Sequence, residues 1–125
     1  MKVGIILGTN ELSGLMFAAI EAGMRTSMDD SVIIFVTMDG VRAFLKDPEI
    51  KKQTKTSEMI AAHDPDFRKY LREGKESGLL KIYVCYYAAE VYDVDKKDLD
   101  GMVDDIWGIT KFSIETEDAQ IIPIW

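Results

Sequence analysis

Apolar residues along this chain come in continuous runs separated by stretches of helical period. Val3-Gly4-Ile5-Ile6-Leu7 and Val32-Ile33-Ile34-Phe35-Val36 are rich in β-branched residues and show no polar alternation. That is the pattern of strands covered on both faces in a parallel sheet. Between them, Leu12, Leu15, Met16, Ala19 and Ile20 recur at helical spacing, which predicts a helix from Glu11 to Met24 with Thr9 or Asn10 as its cap and Gly23 near its end. Ser31 to Thr37 forms the second strand, and Val41 to Leu45 begins a short helix that Asp47-Pro48 stops. Lys46 to Thr56 is polar, lysine-rich and without period, the mark of a surface excursion.

Asp64-Pro65 signals another helix, as N-cap and first helical residue, with Phe67, Tyr70 and Leu71 on its apolar face and Gly74 allowing close approach to a sheet. Gly78 releases the chain into a third strand, Leu79 to Val84, which ends on Cys85. Beyond it the pattern predicts a brief helix over Ala88 to Val91, a short fourth strand at Asp100-Gly101-Met102-Val103, a helix marked by Ile106, Ile109 and Phe112, and a last strand over Ala119 to Trp125. Pro123 cannot donate to a ladder, so this last strand belongs at an edge or ends in a bulge. Such alternation implies an α/β domain: a flavodoxin-like, doubly wound, mostly parallel five-stranded sheet with helices on both faces. Ligands of such sheets bind at the carboxyl ends of the strands. Those ends carry Gly8-Thr9-Asn10-Glu11, Met38-Asp39-Gly40, Cys85-Tyr86-Tyr87 and Asp104-Asp105.

Composition narrows the function classes. A chain of 125 residues fits one domain. Its formal charge of -7 repels phosphate backbones and anionic bilayers, so neither nucleic acid nor membrane is an expected partner. A single cysteine cannot close an intramolecular disulfide, and Met1-Lys2 leads straight into a strand without a signal-peptide pattern; both point to the reducing cytoplasm. No apolar run approaches the roughly 20 residues that span a bilayer.

The candidate chemistry centres on Cys85. A thiol at a strand's carboxyl end and a helix start is assisted by a dipole worth about 0.3–1 kcal/mol, which Glu90, Asp93 and Asp95 nearby oppose. Sulfur exchange needs no strongly acidic thiol. Free cysteine is also a common core residue, and inert packing has equal weight on composition alone. The turn Leu7 to Gly14 lacks both Gly-x-Gly-x-x-Gly and the Gly-Lys-Ser/Thr ending of a phosphate loop, so no nucleotide cofactor is expected. Its backbone amides at Gly8, Thr9, Asn10 and Glu11 are nevertheless candidates to hold a small anion. Asp39, Tyr86 and Tyr87 complete the candidate binding rim, with Tyr92 as a further possible wall of the pocket. His63 stands without a second metal-ligand residue at suitable spacing, and lysines interleave the acids from Asp93 to Asp105, so no metal site is expected.

Lys81-Ile82-Tyr83-Val84-Cys85 with its following short helix, then Val94-Asp95-Lys96-Lys97-Asp98-Leu99 and Gly101-Met102-Val103, resembles the DsrE/DsrF-like family of small sulfur-relay proteins, as do the N-terminal strand-turn-helix and Val32 to Asp39. The resemblance implies a flavodoxin-like fold assembled as trimers or hexamers. It also implies that Cys85 carries sulfane sulfur as a persulfide or related adduct and exchanges it with a TusA-like or other sulfur-carrier protein, a small sulfur-containing anion serving as donor. No second thiol is present to resolve an adduct within the chain, so hand-over goes to another molecule. The alternatives are a non-catalytic oligomeric small-ligand-binding module in which Cys85 is structural, and, by fold analogy alone, a flavin or nucleotide binder. The apolar Ile121-Ile122-Pro123-Ile124-Trp125 supports an oligomer, because a small monomer has little surface under which to bury it.

Overall fold

The computed structural model describes residues 1–125. Five parallel strands, β1 (Lys2–Leu7), β2 (Ser31–Val36), β3 (Leu80–Cys85), β4 (Asp105–Trp107) and β5 (Gln120–Ile124), form one sheet in the order β4-β3-β2-β1-β5. The helices are α1 (Leu12–Ser27), α2 (Lys55–His63), α3 (Phe67–Ser77), α4 (Tyr86–Val91) and α5 (Ile109–Glu115), with 3-10 segments at Met38–Phe44 and Lys96–Asp98. The expected class is therefore observed, an all-parallel α/β sheet with helices on both faces. From β1 to β4 every crossover steps in one direction, and the last returns past β1 to place β5 on the other side. Right-handed connections then put α1 and α3 on one face and α5 on the opposite one.

The two faces are filled differently. Toward α1 and α3 project Val3, Ile5, Leu7, Val32, Ile34, Val36, Leu80, Ile82 and Val84, all essentially without solvent contact. Toward α5 project Gly4, Ile6, Ile33, Phe35, Lys81 and Tyr83. Here Phe112 stacks on Phe35 at 4.6 Å, while Ile6, Ile33 and Tyr83 are half-buried and Lys81 is exposed. Gly4 is what admits α5, because a Cβ there would lie 2.9 Å from Ile121 and 3.2 Å from Thr116.

Several element boundaries differ from expectation for local reasons. The fourth strand is Asp105–Trp107, not Asp100 to Val103. Asp100 instead accepts the Met102 amide and pairs with Arg68, and Asp104 is drawn to Lys75 and to the Ile82 amide, which holds this approach off the ladder. Ile106 thus lies in β4 rather than in the last helix. α2 lies within and beyond the polar excursion, capped by Thr54, which accepts the Ser57 amide. Asp64 closes α2 and accepts the Asp66 amide, so α3 starts at Phe67, two residues later than Asp64-Pro65 suggested. α1 runs on to Ser27, past Gly23, whose missing side chain lets Tyr70 of α3 approach. β5 is an edge strand, as Pro123 required. The Ile124 oxygen accepts the Gly8 amide at 2.8 Å and so faces β1, which turns the donor-less backbone of Pro123 outward.

Candidate functional site

Cys85 is the last residue of β3 and the N-cap of α4. Strand alternation projects its side chain to the α5 face, with Tyr83 and Phe35. Across the ladder it pairs with Trp107, whose indole stacks on Tyr83 with centroids 3.5 Å apart and lies under the Lys111 ammonium at 5.0 Å. On its other side the chain leaves β2 at Thr37 and enters the 3-10 segment through Met38, a non-glycine residue held at φ 49. Gly40 brings this segment down onto the sheet. A Cβ there would sit 2.5 Å from the Leu7 oxygen, so only glycine fits. Cys85 itself is 4% exposed.

Around that sulfur the carboxyl rim divides into parts with different chemistry. Tyr86 and Tyr87, in the first turn of α4, are exposed at 60% and 61% and present aromatic surface to solvent. Hydrogen bonding to Glu90 raises the Tyr86 hydroxyl above the ordinary tyrosine range. Farther along, Tyr92 donates to Asp39 at 2.7 Å; that bond, then burial, raises its hydroxyl. Arg42 lies over the Tyr92 ring at 6.0 Å and is held by Glu49. Beside α4, Tyr86, Ala89, Glu90, Asp93, Val94 and Ile106 line a depression of about 210 Å³ whose mouth is acidic.

Two of the four amides expected to hold an anion in the Gly8 to Glu11 turn, those of Gly8 and Glu11, are engaged within the protein. The Gly8 amide is spent on Ile124, and the Trp125 ring lies directly over Gly8, where a Cβ would be 2.2 Å away. The Glu11, Leu12 and Ser13 amides go to Thr9 Oγ1, the Lys51 oxygen and Ser57 Oγ. Asn10, almost fully buried, donates to the Glu49 oxygen and accepts the Lys51 amide through its own carbonyl. Glu11 accepts from Ser57, the Gln53 amide and Thr54. Burial pushes its carboxyl up, and these hydrogen bonds together more than offset that and leave it below its ordinary value. The α1 start is therefore a closed joint between two parts of the chain, carrying a carboxylate.

Asp104-Asp105 is also displaced from the rim. Asp105 pairs in register with Tyr83, two residues before Cys85, and the true carboxyl end of β4 is Trp107-Gly108. His63 ends α2, exposed, away from the cysteine strand. Trp107 and Thr37 are the neighbours that the sequence did not assign. The only local signal for Trp107 was a large aromatic residue directly before Gly108.

Comparison with known proteins matches a family model, DsrE: DsrE/DsrF-like family, over residues 1–120. The chain belongs to the DsrE/DsrF-like family. Among solved structures, this DsrE/DsrF-like domain is similar to a protein of unknown function, MTH1491, from Methanobacterium thermoautotrophicum, at 14% identity and a TM-score of 0.68, covering 98% of this chain and 97% of that one. It is similar also to the ychN protein of E. coli, at 12% identity and a TM-score of 0.67, covering 99% of each. At those identities the likeness is one of fold. No curated protein matches the sequence. No helix of this DsrE/DsrF-like chain is long and apolar enough to cross a membrane.

Proposed function

We propose that this DsrE/DsrF-like protein is a sulfur carrier that holds sulfane sulfur on Cys85 and passes it to the thiol of a partner, a TusA-like or other sulfur-carrier protein. Family membership points to a sulfur-relay role. The observation that carries the finer reading is the position of the only cysteine, at the carboxyl end of β3 and the start of α4. In the charging step the Cys85 thiolate attacks the outer sulfur of thiosulfate, a new S–S bond forms, the old one breaks, and sulfite leaves with the electron pair. The partner's thiolate then attacks the outer sulfur of the Cys85 persulfide and releases the Cys85 thiolate. Both steps conserve charge, need no external oxidant and use no second cysteine. A persistent free thiol suits a reducing compartment, which we take to be the cytoplasm. A homo-oligomer, a trimer or hexamer, belongs to the same reading.

In the β1–α1 turn the Gly8 and Glu11 amides are engaged within the protein and have no part in stabilising the cargo. What faces an incoming donor is the first turn of α4, with Tyr86 and Tyr87, and the Met38 corner. Because Cys85 is 4% exposed, reaction requires one of these to move aside, and Met38, held at positive φ, is the strained member. The same burial favours the second reading, a binding module in which Cys85 only packs.

Intact-mass measurement after exposure to thiosulfate, tetrathionate or polysulfide separates the two. A sulfur adduct on the native chain that is absent from Cys85→Ser supports the carrier. No adduct, or one that survives in Cys85→Ser, removes it. Reaction with a thiol reagent that accelerates only on unfolding supports the packing role.

A further inference from the structure

The outward pole of α1 is apolar where a surface helix should be charged. The sheet-facing side carries Leu12, Leu15, Ala19, Ala22 and Thr26, all buried. On the opposite side lie Phe17, Ile20, Met24 and, at the C-cap, Met28, exposed at 55%, 47%, 45% and 62%. Their spacing of three, four and four residues sets them in one stripe of roughly 16 Å at about 1.5 Å per residue. A helix apolar on both sides is a buried helix. Its neighbour α3, on the same sheet face, behaves as the rule expects: Lys69, Arg72, Glu73 and Glu76 are exposed and no large apolar residue joins them.

We infer that this stripe is covered by the α1 stripe of a second copy of the chain, packed antiparallel about a two-fold axis near Ala22. The spacing is self-complementary under that operation, placing Phe17 opposite Met28 and Ile20 opposite Met24 of the other copy. The rim is electrostatically closed, which allows two copies of charge -7 to meet there. On one flank Arg25 is held by Glu21 at 3.0 Å and by Asp30 at 3.6 Å, and on the other Lys69 is held by Asp64 at 3.0 Å. An anionic bilayer would instead need unpaired basic residues along the stripe, and there are none. At roughly 200 Å² for each large side chain, half exposed, the stripe supplies about 400 Å² of apolar surface per copy, half of the roughly 800 Å² that each partner buries in a stable interface. The inference rests on the proposed assembly of the chain and not on its sulfur chemistry.

Light scattering of the native chain and of the double variant Ile20→Lys with Met24→Lys tests it. Both positions are solvent-facing, so far-UV circular dichroism should be unchanged. The native particle should contain an even number of 14.1 kDa chains, and the variant should show half the native mass. A native monomer would overturn both assembly and interface; a native trimer, or an even assembly whose mass the variant retains, would overturn the interface alone. Native monomers that pellet with phosphatidylglycerol vesicles would assign the stripe to a membrane and refute the pairing. Independently, in a Cys85→Ser background, Phe17→Cys with Met28→Cys should oxidise to a covalent dimer. These positions lie too far apart within one chain for an internal disulfide, and failure to cross-link in an assembled native-mass protein would count against the two-fold geometry.

Discussion

The two faces of one sheet are built to different standards in this molecule. Beneath α1 and α3 the side chains of alternate strand positions are sealed and aliphatic. Beneath α5, a helix of seven residues, the opposite positions hold aromatic stacks, Phe35 on Phe112 and Tyr83 on Trp107, with half-buried Ile6 and Ile33 beside them. Stability resides on the first face, and Cys85 is buried on the second. A dry aliphatic face resists rearrangement because every lost methylene leaves a cavity. The aromatic face, thinly covered, is where a buried thiol can become accessible without unfolding the domain.

The largest effect that sharpens this contrast is truncation in the dry face. Ile34→Ala or Ile82→Ala, both at 0% exposure, should cost about 3–4 kcal/mol in urea unfolding. Phe112→Ala should follow at about 3 kcal/mol, since the ring is buried against Phe35 but has solvent close behind it. Gly40→Ala should cost about 2 kcal/mol by forcing the 3-10 segment off the Leu7 oxygen. Ile33→Ala, on the thin face one residue from Ile34, should cost about 1 kcal/mol. Equal losses at Ile33 and Ile34 would erase the distinction between the faces.

The smallest effect is in pH. Tyr92 is raised by its bond to Asp39 and by burial, Tyr83 by burial and then by Asp104 and Asp105, and Tyr86 by Glu90. Each fold therefore favours the protonated phenol. That stabilisation is complete below the unfolded value of about 10 and is lost as pH rises through the higher folded values. The melting temperature should hold level from about pH 8 to 9.5 and fall above about pH 10. Tyr92→Phe should cost about 1 kcal/mol at neutral pH and make the alkaline fall shallower. An unchanged alkaline slope would mean that the Tyr92–Asp39 bond does not couple to folding.

Much of the architecture was legible in local sequence. Unbroken β-branched runs announce strands buried on both faces, and Pro123 announces an edge, because each consequence follows from one residue's backbone or side chain. α2 escaped the pattern because no apolar period marks it. What anchors it is Ser57, fully buried, joined to Glu11 and the Ser13 amide 44 residues earlier in the chain. The same joint engages the first amides of α1, those of Leu12 and Ser13.

The sequence alone determined that Cys85 ends a parallel strand and has no thiol partner in its own chain, since strand and count are both local facts. Only the tertiary structure decided the strand order, the pairing of Cys85 with Trp107, the burial of Cys85, and the covering of Gly8 by Trp125. These depend on contacts between residues remote in sequence. Their energies come from packing and close approach, which no run of neighbouring residues encodes.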